Sequence, residues 1–278
     1  MSTYKPLRVR ARYALKRLLP SPFFALVHRL WIQWFSHFFK VEDILQHYTE
    51  EFHANNPRVV QGGLFAGMHY VERAVGSNYL HKLIGSYESV LHPVIERLGT
   101  KYFDTIIDIG CAEGFYLVGL GRKFPQTRLV GFEIESVGRE LVREMYKKND
   151  LQNELILNGE ASAENVTAYL TTNTLLICDC EGAELHILDP DIAPALLGVA
   201  VAIIELHDFI TPGIKEALIT RFKDTHEITI IPFTMAKSED FPFLASITNA
   251  NHLYELRRER GWQEQEWMVL EKKDHKQN

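Results

Sequence analysis

Five short apolar runs set the pattern of the chain: Thr105 to Ile109, Arg128 to Phe132, Glu154 to Leu157, Thr174 to Asp179 and Val199 to Leu206. Runs this short, bounded by turn residues, are what strands covered on both faces require. Helical periodicity lies between them, from Phe115 onward, through Ser136 to Lys148 and again through Ile214 to Phe222. The alternation predicts an α/β domain with a mostly parallel sheet and helices on both faces. Two further strands, His226 to Phe233 and Glu266 to Glu271, are separated by a polar stretch from Lys237 to Phe241 and a helical one from Asn251 to Arg260. That excursion either caps the sheet edge or stays on the surface. Upstream, a helix from Val41 to Arg58 closes at Asn55-Asn56-Pro57, and a glycine-rich segment spans Gly62 to Met68. A helix from Val90 to Leu98 then leads into the first core strand.

Composition adds an asymmetry. The chain has 278 residues, 46% of them hydrophobic and 24% charged, enough for one α/β domain with extensions. Its net charge is -6, yet no acidic residue precedes Glu42, while Lys5, Arg8, Arg10, Arg12, Lys16, Arg17, Arg29 and Lys40 are basic. Residues 1–60 therefore read as a basic, aromatic, helical extension, 61–272 as the main domain and 273–278 as a disordered tail. From Phe23 to Lys40 a narrow polar stripe of Arg29, Gln33, Ser36 and Lys40 crosses an otherwise aromatic and apolar helix. The apolar stretch falls short of the about 20 residues a spanning helix needs, and no small-residue cleavage site follows it. Two readings stand: a helix packed on the domain or on a second copy in a homodimer, and an interfacial helix making peripheral contact with an anionic membrane. Nucleic acid is not an expected partner, since a short basic arm is a common solvated tail. Three cysteines, Cys111, Cys178 and Cys180, fall in core strands or turns with no metal-ligand spacing, which favours core packing and a reducing, cytoplasmic setting, with the inner face of a membrane as its extension.

The densest chemistry follows the first run. Asp108-Ile-Gly110-Cys111-Ala112-Glu113-Gly114 is a strand end, a turn of small residues and a helix start. Small residues let the backbone approach a ligand, and the first free amides of a helix point at a carboxylate or phosphate. The dinucleotide fingerprint G-x-G-x-x-G needs glycine at 110, 112 and 115, where this chain has Gly110, Ala112 and Phe115, and that argues against a dinucleotide. Glu133, roughly 20 residues past the turn and at a strand end, is positioned to accept both ribose hydroxyls of an adenosine cofactor. Glu160, in the turn after the third strand, falls at the level of an adenine ring, as a contact to its amino group or as a plain turn residue. Tyr87 and Glu88, ahead of the first core strand, either line the site from above or, for Glu88, supply an acid at a helix start.

The fourth and fifth runs end in acids: Asp179-Cys-Glu181-Gly-Ala-Glu184 and Glu205-Leu-His207-Asp208. Carboxylates at the end of a buried strand are costly unless they are solvated, paired or used. If the two strands are neighbours, Asp179, Glu181, Glu205, His207 and Asp208 converge on one carboxyl edge, where open α/β sheets bind their ligands.

The order Asp108-Ile-Gly-Cys-Ala-Glu-Gly114, then Gly131-Phe-Glu133, then Asp179-Cys-Glu-Gly-Ala-Glu184, then Ile204-Glu-Leu-His207 resembles the FkbM-like branch of class I S-adenosylmethionine-dependent methyltransferases, from about Leu83 to His207. The resemblance implies a Rossmann-like seven-stranded sheet with its last strand antiparallel, bound S-adenosylmethionine, and methyl transfer most often to oxygen. Asp108, Gly110, Cys111, Ala112, Glu113 and Gly114 then hold the amino-acid end of the cofactor, Glu133 its ribose and Glu160 its adenine, with Asp179 nearest the methyl group. Ala112 stands where the middle residue is more often glycine, and Ile134 where proline often follows the acid.

On this reading the acceptor is a small-molecule or glycan hydroxyl, with Tyr87, Glu88 and Glu205 on its side. His207 is the natural base, because its ordinary pKa of about 6.5 lies near neutrality, and Glu181 orients His207 or the acceptor. Asp179, Glu205 and His207 are also hard ligands that could hold Mg2+ and acidify a hydroxyl, a variant not favoured because acids at this edge are expected without metal. A rival reading from another class is a non-catalytic cofactor-binding module, tethered to a membrane or partner by its amino-terminal helix. Such a module keeps the cofactor turn and has no need of the acidic edge.

Overall fold

A computed structural model describes residues 41–259 and 265–273. The basic and aromatic arm of residues 1–40, the end of the predicted helix at Arg260 and nearly all of the 273–278 tail lie outside the described residues. The chain divides into two compact units between Ala54 and Asn55. In the first, residues 41–54 are helical, and the Gln46 side chain donates to Glu50 one turn on.

The second unit is built on a seven-stranded sheet in the order β3-β2-β1-β4-β5-β7-β6. Its strands are β1 Thr105–Ile109, β2 Arg128–Phe132, β3 Leu155–Asn158, β4 Thr174–Cys178, β5 Val201–Leu206, β6 His226–Pro232 and β7 Glu266–Lys272. β1 to β5 run parallel, and β7 is antiparallel to both neighbours, β5 and β6. This is the Rossmann-like architecture the resemblance implies, with the last strand inserted antiparallel. β1, β4 and β5 are buried along their whole length, as strands covered on both faces must be. At one edge of the sheet, the first five residues of β6 alternate between less and more exposed positions, the period-two pattern of a half-covered strand.

Register explains where the site falls. Ile109 pairs with Phe132 on one side and with Cys178 on the other, and Cys178 pairs with Ile204. The next residues along, Gly110, Glu133, Asp179 and Glu205, therefore leave the sheet at one level. β1 lies between β2 and β4, so the crossovers leave in opposite directions and open a crevice at this point.

The helices Phe115–Lys123, Ser136–Lys148 and Ile214–Phe222 follow the predicted periodicity. The expected helix from Val90 is instead a 3-10 turn over Ser89–Leu91 followed by an α-helix over His92–Leu98. Pro93 sits in the first turn of the latter, where its missing N–H leaves nothing unpaired. The excursion between β6 and β7 contains two short helices, Pro242–Ala245 and Ala250–Arg257. It is tied back to the segment before β1: His81 Nε2 lies 2.8 Å from the Leu256 carbonyl, and the Asn78 amide donates to the Glu259 carbonyl at 2.7 Å.

Candidate active site

A cavity of about 680 Å3 opens at the carboxyl ends of β1, β2 and β4. Its floor is the turn Asp108 to Ala112, one wall is Phe132 to Ile134, another is Gly159 to Ala161, and Asp179 to Glu181 with Ala183 form the third. Val75 to Asn78, Lys82, Tyr87 and Glu259 cover it from the segment before β1 and from the excursion.

The turn owes its shape to two residues with positive φ. Gly110 has φ +80°, and a Cβ there would run into the Asp179 backbone carbonyl, so only glycine lets β1 and β4 close beneath the cavity. Ala112 has φ +49°. It keeps this left-handed geometry while its N–H donates to Glu133 Oε2 at 2.9 Å, and the other oxygen of Glu133 accepts from the Glu135 N–H at 2.8 Å. Glu133 is thus fixed at the rim by two backbone amides.

Asp108 is buried, and its Oδ2 has no hydrogen-bond partner. Burial, reinforced by the charge of Asp179, pushes its pKa up to about 8. A buried carboxyl oxygen without a hydrogen-bond partner is the kind of group a bound ligand satisfies. The cofactor's ammonium is a donor of the right sign for Asp108, and its ribose hydroxyls suit Glu133. With a cavity of ligand size and a glycine cradle beneath it, the residues present fit S-adenosylmethionine.

Glu113 and Gly114, though part of the same motif, do not line the cavity. Glu113 is fully buried on the far side of the turn, where it accepts hydrogen bonds from the Lys82 ammonium, the Tyr70 hydroxyl and the Val75 N–H. Burial alone would raise its pKa, but these donors outweigh it and hold the carboxyl below its usual value. Gly114, at φ +93°, caps the helix Phe115–Lys123. Glu88 does not line the cavity either. Its carboxylate accepts from the Tyr116 hydroxyl, and its backbone N–H donates to the Glu259 carboxylate at 2.8 Å. Tyr87 does line it, packed edge-on against Phe115.

At the acidic edge the structure brings together four carboxylates around one imidazole. His207 is fully buried, with Nδ1 2.6 Å from Glu184 Oε1. Its Nε2 has no hydrogen-bond partner and lies 3.6 Å from Asp179 Oδ1, 3.6 Å from Glu205 Oε2 and 3.7 Å from Glu181 Oε2. Burial opposes charging of the ring, but the Glu184 hydrogen bond and the nearby acids outweigh it and raise the His207 pKa. His207 and Glu205 lie behind Asp179 rather than on the cavity surface. Glu181 is at the entrance, with its side chain 75% exposed. Asp208 turns away and caps the next loop, accepting from the Gly213 and Lys215 N–H groups. The group that holds His207 is therefore Glu184, the last acid of the Asp179-to-Glu184 motif, and not Glu181, which the sequence suggests as orienting either His207 or the acceptor. Lys82 was also missed; its signal is a lysine among the buried residues of the short helix Tyr79–Ile84. Cys178 and Cys180 share a face of the sheet as free thiols, with their sulfurs 3.5 Å apart.

Residues 104–177 match the model of a family described as "Putative methyltransferase". That segment carries β1 to β4 with the turn and Glu133, which form most of the cavity. The sheet order is that of a Rossmann-like α/β fold, and over the matched segment the chain is similar to a methyltransferase family. Among solved structures, the chain is similar to a precorrin-6y C5,15-methyltransferase from Geobacter metallireducens, at 10% identity and a TM-score of 0.46, over 77% of this chain and 100% of that one. It is similar also to the O-methyltransferase TomG from Streptomyces achromogenes, solved with S-adenosylmethionine, at 13% identity and a TM-score of 0.41, over 71% and 81% of the two chains. No curated protein matches the chain in sequence. Among the described residues no helix is long and apolar enough to cross a membrane.

Proposed function

We propose that the protein transfers a methyl group from S-adenosylmethionine to a hydroxyl oxygen of a small-molecule or glycan acceptor, in the manner of FkbM-like enzymes. The observation that carries this reading is the double position of Asp179, which lines the cofactor cavity and also lies 3.6 Å from His207 Nε2. The bound cofactor supplies a methyl group already activated for displacement. What is left to the protein is to hold the acceptor oxygen in line, worth on the order of several kcal/mol, and to accept one proton.

Asp179 is the catalytic residue, the carboxylate that meets the hydroxyl and takes its proton. His207, held by Glu184, is a positioning residue that fixes Asp179 from behind. Glu181, exposed at the entrance, meets the arriving acceptor, and Tyr87 offers its ring on the opposite wall. Glu88 and Glu205 act at one remove, through Tyr116 and His207. The basic and aromatic composition of residues 1–40 supports peripheral contact with the inner face of a membrane, or a homodimer contact, in a cytoplasmic protein.

Calorimetric titration with S-adenosylhomocysteine, beside NAD as a control, tests the cofactor. Micromolar binding of the former alone is expected. Methyl transfer to a panel of hydroxyl acceptors, abolished in Asp179→Asn, tests the chemistry. A folded protein that binds no S-adenosylhomocysteine overturns the reading.

A further inference from the structure

Asp179 stands between two free thiols in the chain. Cys178 ends β4 and is fully buried, while Cys180 is half-buried and lines the cavity, and their sulfurs lie 3.5 Å apart. Side chains two residues apart on an extended chain share a side, which is what brings the sulfurs together. Core packing accounts for Cys178, which lies among apolar residues of the core. It does not account for a second thiol in contact with the first and open to small solutes from the cavity.

This pair can close to a disulfide only if the chain bends. Cβ atoms two residues apart on an extended chain are about 6.6 Å from each other, and a disulfide needs about 3.8 Å. The sulfurs must close from 3.5 Å to about 2.0 Å. Cys178 is held by its pairing with Ile109 and Ile204, and the Asp179 N–H donates to the Ile109 carbonyl at 2.9 Å. Beyond these the backbone leaves the sheet and turns through Glu181 at φ +54° and Gly182 at φ +100°. Cys180 is therefore the partner that moves. Asp179, the residue between, turns with it away from the place it holds beside His207 and the cavity.

We propose that Cys178 and Cys180 form a reversible redox site, closed to a disulfide by a hydroperoxide, that withdraws Asp179 from the acceptor. The Cys180 sulfur attacks one peroxide oxygen, the O–O bond breaks, and hydroxide leaves with the thiol proton as water, giving a sulfenic acid. The Cys178 sulfur then attacks the Cys180 sulfur. The S–S bond forms, the S–O bond breaks, and the second hydroxide leaves as water with the Cys178 proton. Two thiols and one hydrogen peroxide become one disulfide and two waters, and a dithiol reductant returns both electrons and both protons. A disulfide across so short and bent a loop is strained, which makes it easily reduced and lets the switch reset. The loss of methyl transfer rests on the reading of Asp179 as the catalytic residue; formation of the bond does not.

The test exposes the folded full chain to hydrogen peroxide, blocks the remaining thiols with iodoacetamide in denaturant, and weighs the proteolytic peptide that carries both cysteines. A loss of two hydrogens from that peptide is expected, with Cys111 still alkylated, and dithiothreitol should reverse it. Methyl transfer should fall by about 100-fold on oxidation, the effect of misplacing a reacting group by about 1 Å, and return on reduction. Cys178→Ala should keep its activity before oxidation and lose the reversible response, and Cys180→Ala, at a half-buried position, should form no bond. Both cysteines alkylated after peroxide, or Cys180 carried on to a sulfinic acid with Cys178 still free, overturns the proposal. A disulfide that leaves methyl transfer unchanged overturns the switch. If the bond forms but the reduced chain binds no S-adenosylhomocysteine, the redox site stands and the methyltransferase reading falls.

Discussion

Two buried acidic clusters lie on either side of the cofactor turn, and they are solved differently. Around Glu113 one carboxylate meets an ammonium, a hydroxyl and an amide N–H, so that each charge has a partner. Around His207 one ring meets Asp179, Glu181, Glu184 and Glu205, and only the bond to Glu184 has hydrogen-bond length. A buried polar cluster that satisfies itself is doing structural work, while one left incomplete is held that way at a cost the fold must offset. The first ties the segment before β1 to the motif, and the second leaves His207 Nε2 without a hydrogen-bond partner beside Asp179.

The largest expected effect follows from breaking the satisfied cluster. Lys82→Met removes the ammonium and leaves Glu113 buried, a change that costs about 3 to 5 kcal/mol when a buried pair loses one partner. Urea unfolding followed by circular dichroism measures it. A loss below about 1 kcal/mol would mean that Glu113 finds another donor, and the contrast between the clusters would fail.

The incomplete cluster should respond in the opposite sense. Asp179→Asn removes one of the crowded acids, so folding stability should hold or rise, while methyl transfer falls by about 100-fold or more. Kinetics and urea unfolding on the same preparation separate the two effects. A variant that is both less stable and fully active would make Asp179 a structural residue.

The fold was legible because strands buried on both faces announce themselves as short apolar runs, and the turn at Gly110 because only glycine fits above the Asp179 carbonyl. Membership of the cavity was legible to the extent that strand ends share a level, which the register enforces for Glu133 and Asp179. What escaped was the direction of side chains beside the strands. Ala112 and Glu113 are neighbours in one motif, yet one faces the cavity and the other a buried cation more than 30 residues away in sequence. Glu259, which lines the mouth, comes from an excursion whose docking depends on long-range bonds such as His81 to Leu256 that no local pattern encodes.

Asp108 supplies a pH-dependent comparison between the empty and the filled cavity. Its pKa is about 8 in the folded protein and about 3.9 in an unfolded chain. The folded state therefore holds a proton that the unfolded state releases. Its contribution to stability is fully present below pH about 4 and is lost progressively as the pH rises through about 8. Asp108→Asn removes this dependence. The melting temperature of the wild type minus that of Asp108→Asn should fall between pH 5 and 8 and level off above, while the variant binds S-adenosylhomocysteine more weakly. A difference that does not change with pH would mean that the carboxyl is ionised at neutrality.

The smallest effect sharpens the contrast between adjacent residues. Ala112 holds φ +49°, a conformation that costs an L-residue roughly 1 to 2 kcal/mol and glycine almost nothing. Glycine gives part of that back through the extra freedom of the unfolded chain, so Ala112→Gly should stabilise the protein by about 0.5 to 1 kcal/mol. The N–H that Glu133 accepts is retained, and the Glu113 network is untouched, so S-adenosylhomocysteine affinity should shift by less than about twofold if the Ala112 methyl merely lines the wall. A gain of tenfold or more, measured by calorimetry, would show that this methyl crowds the amino-acid end of the cofactor. In that case the departure from glycine at this position sets the affinity, independently of the acidic edge across the cavity.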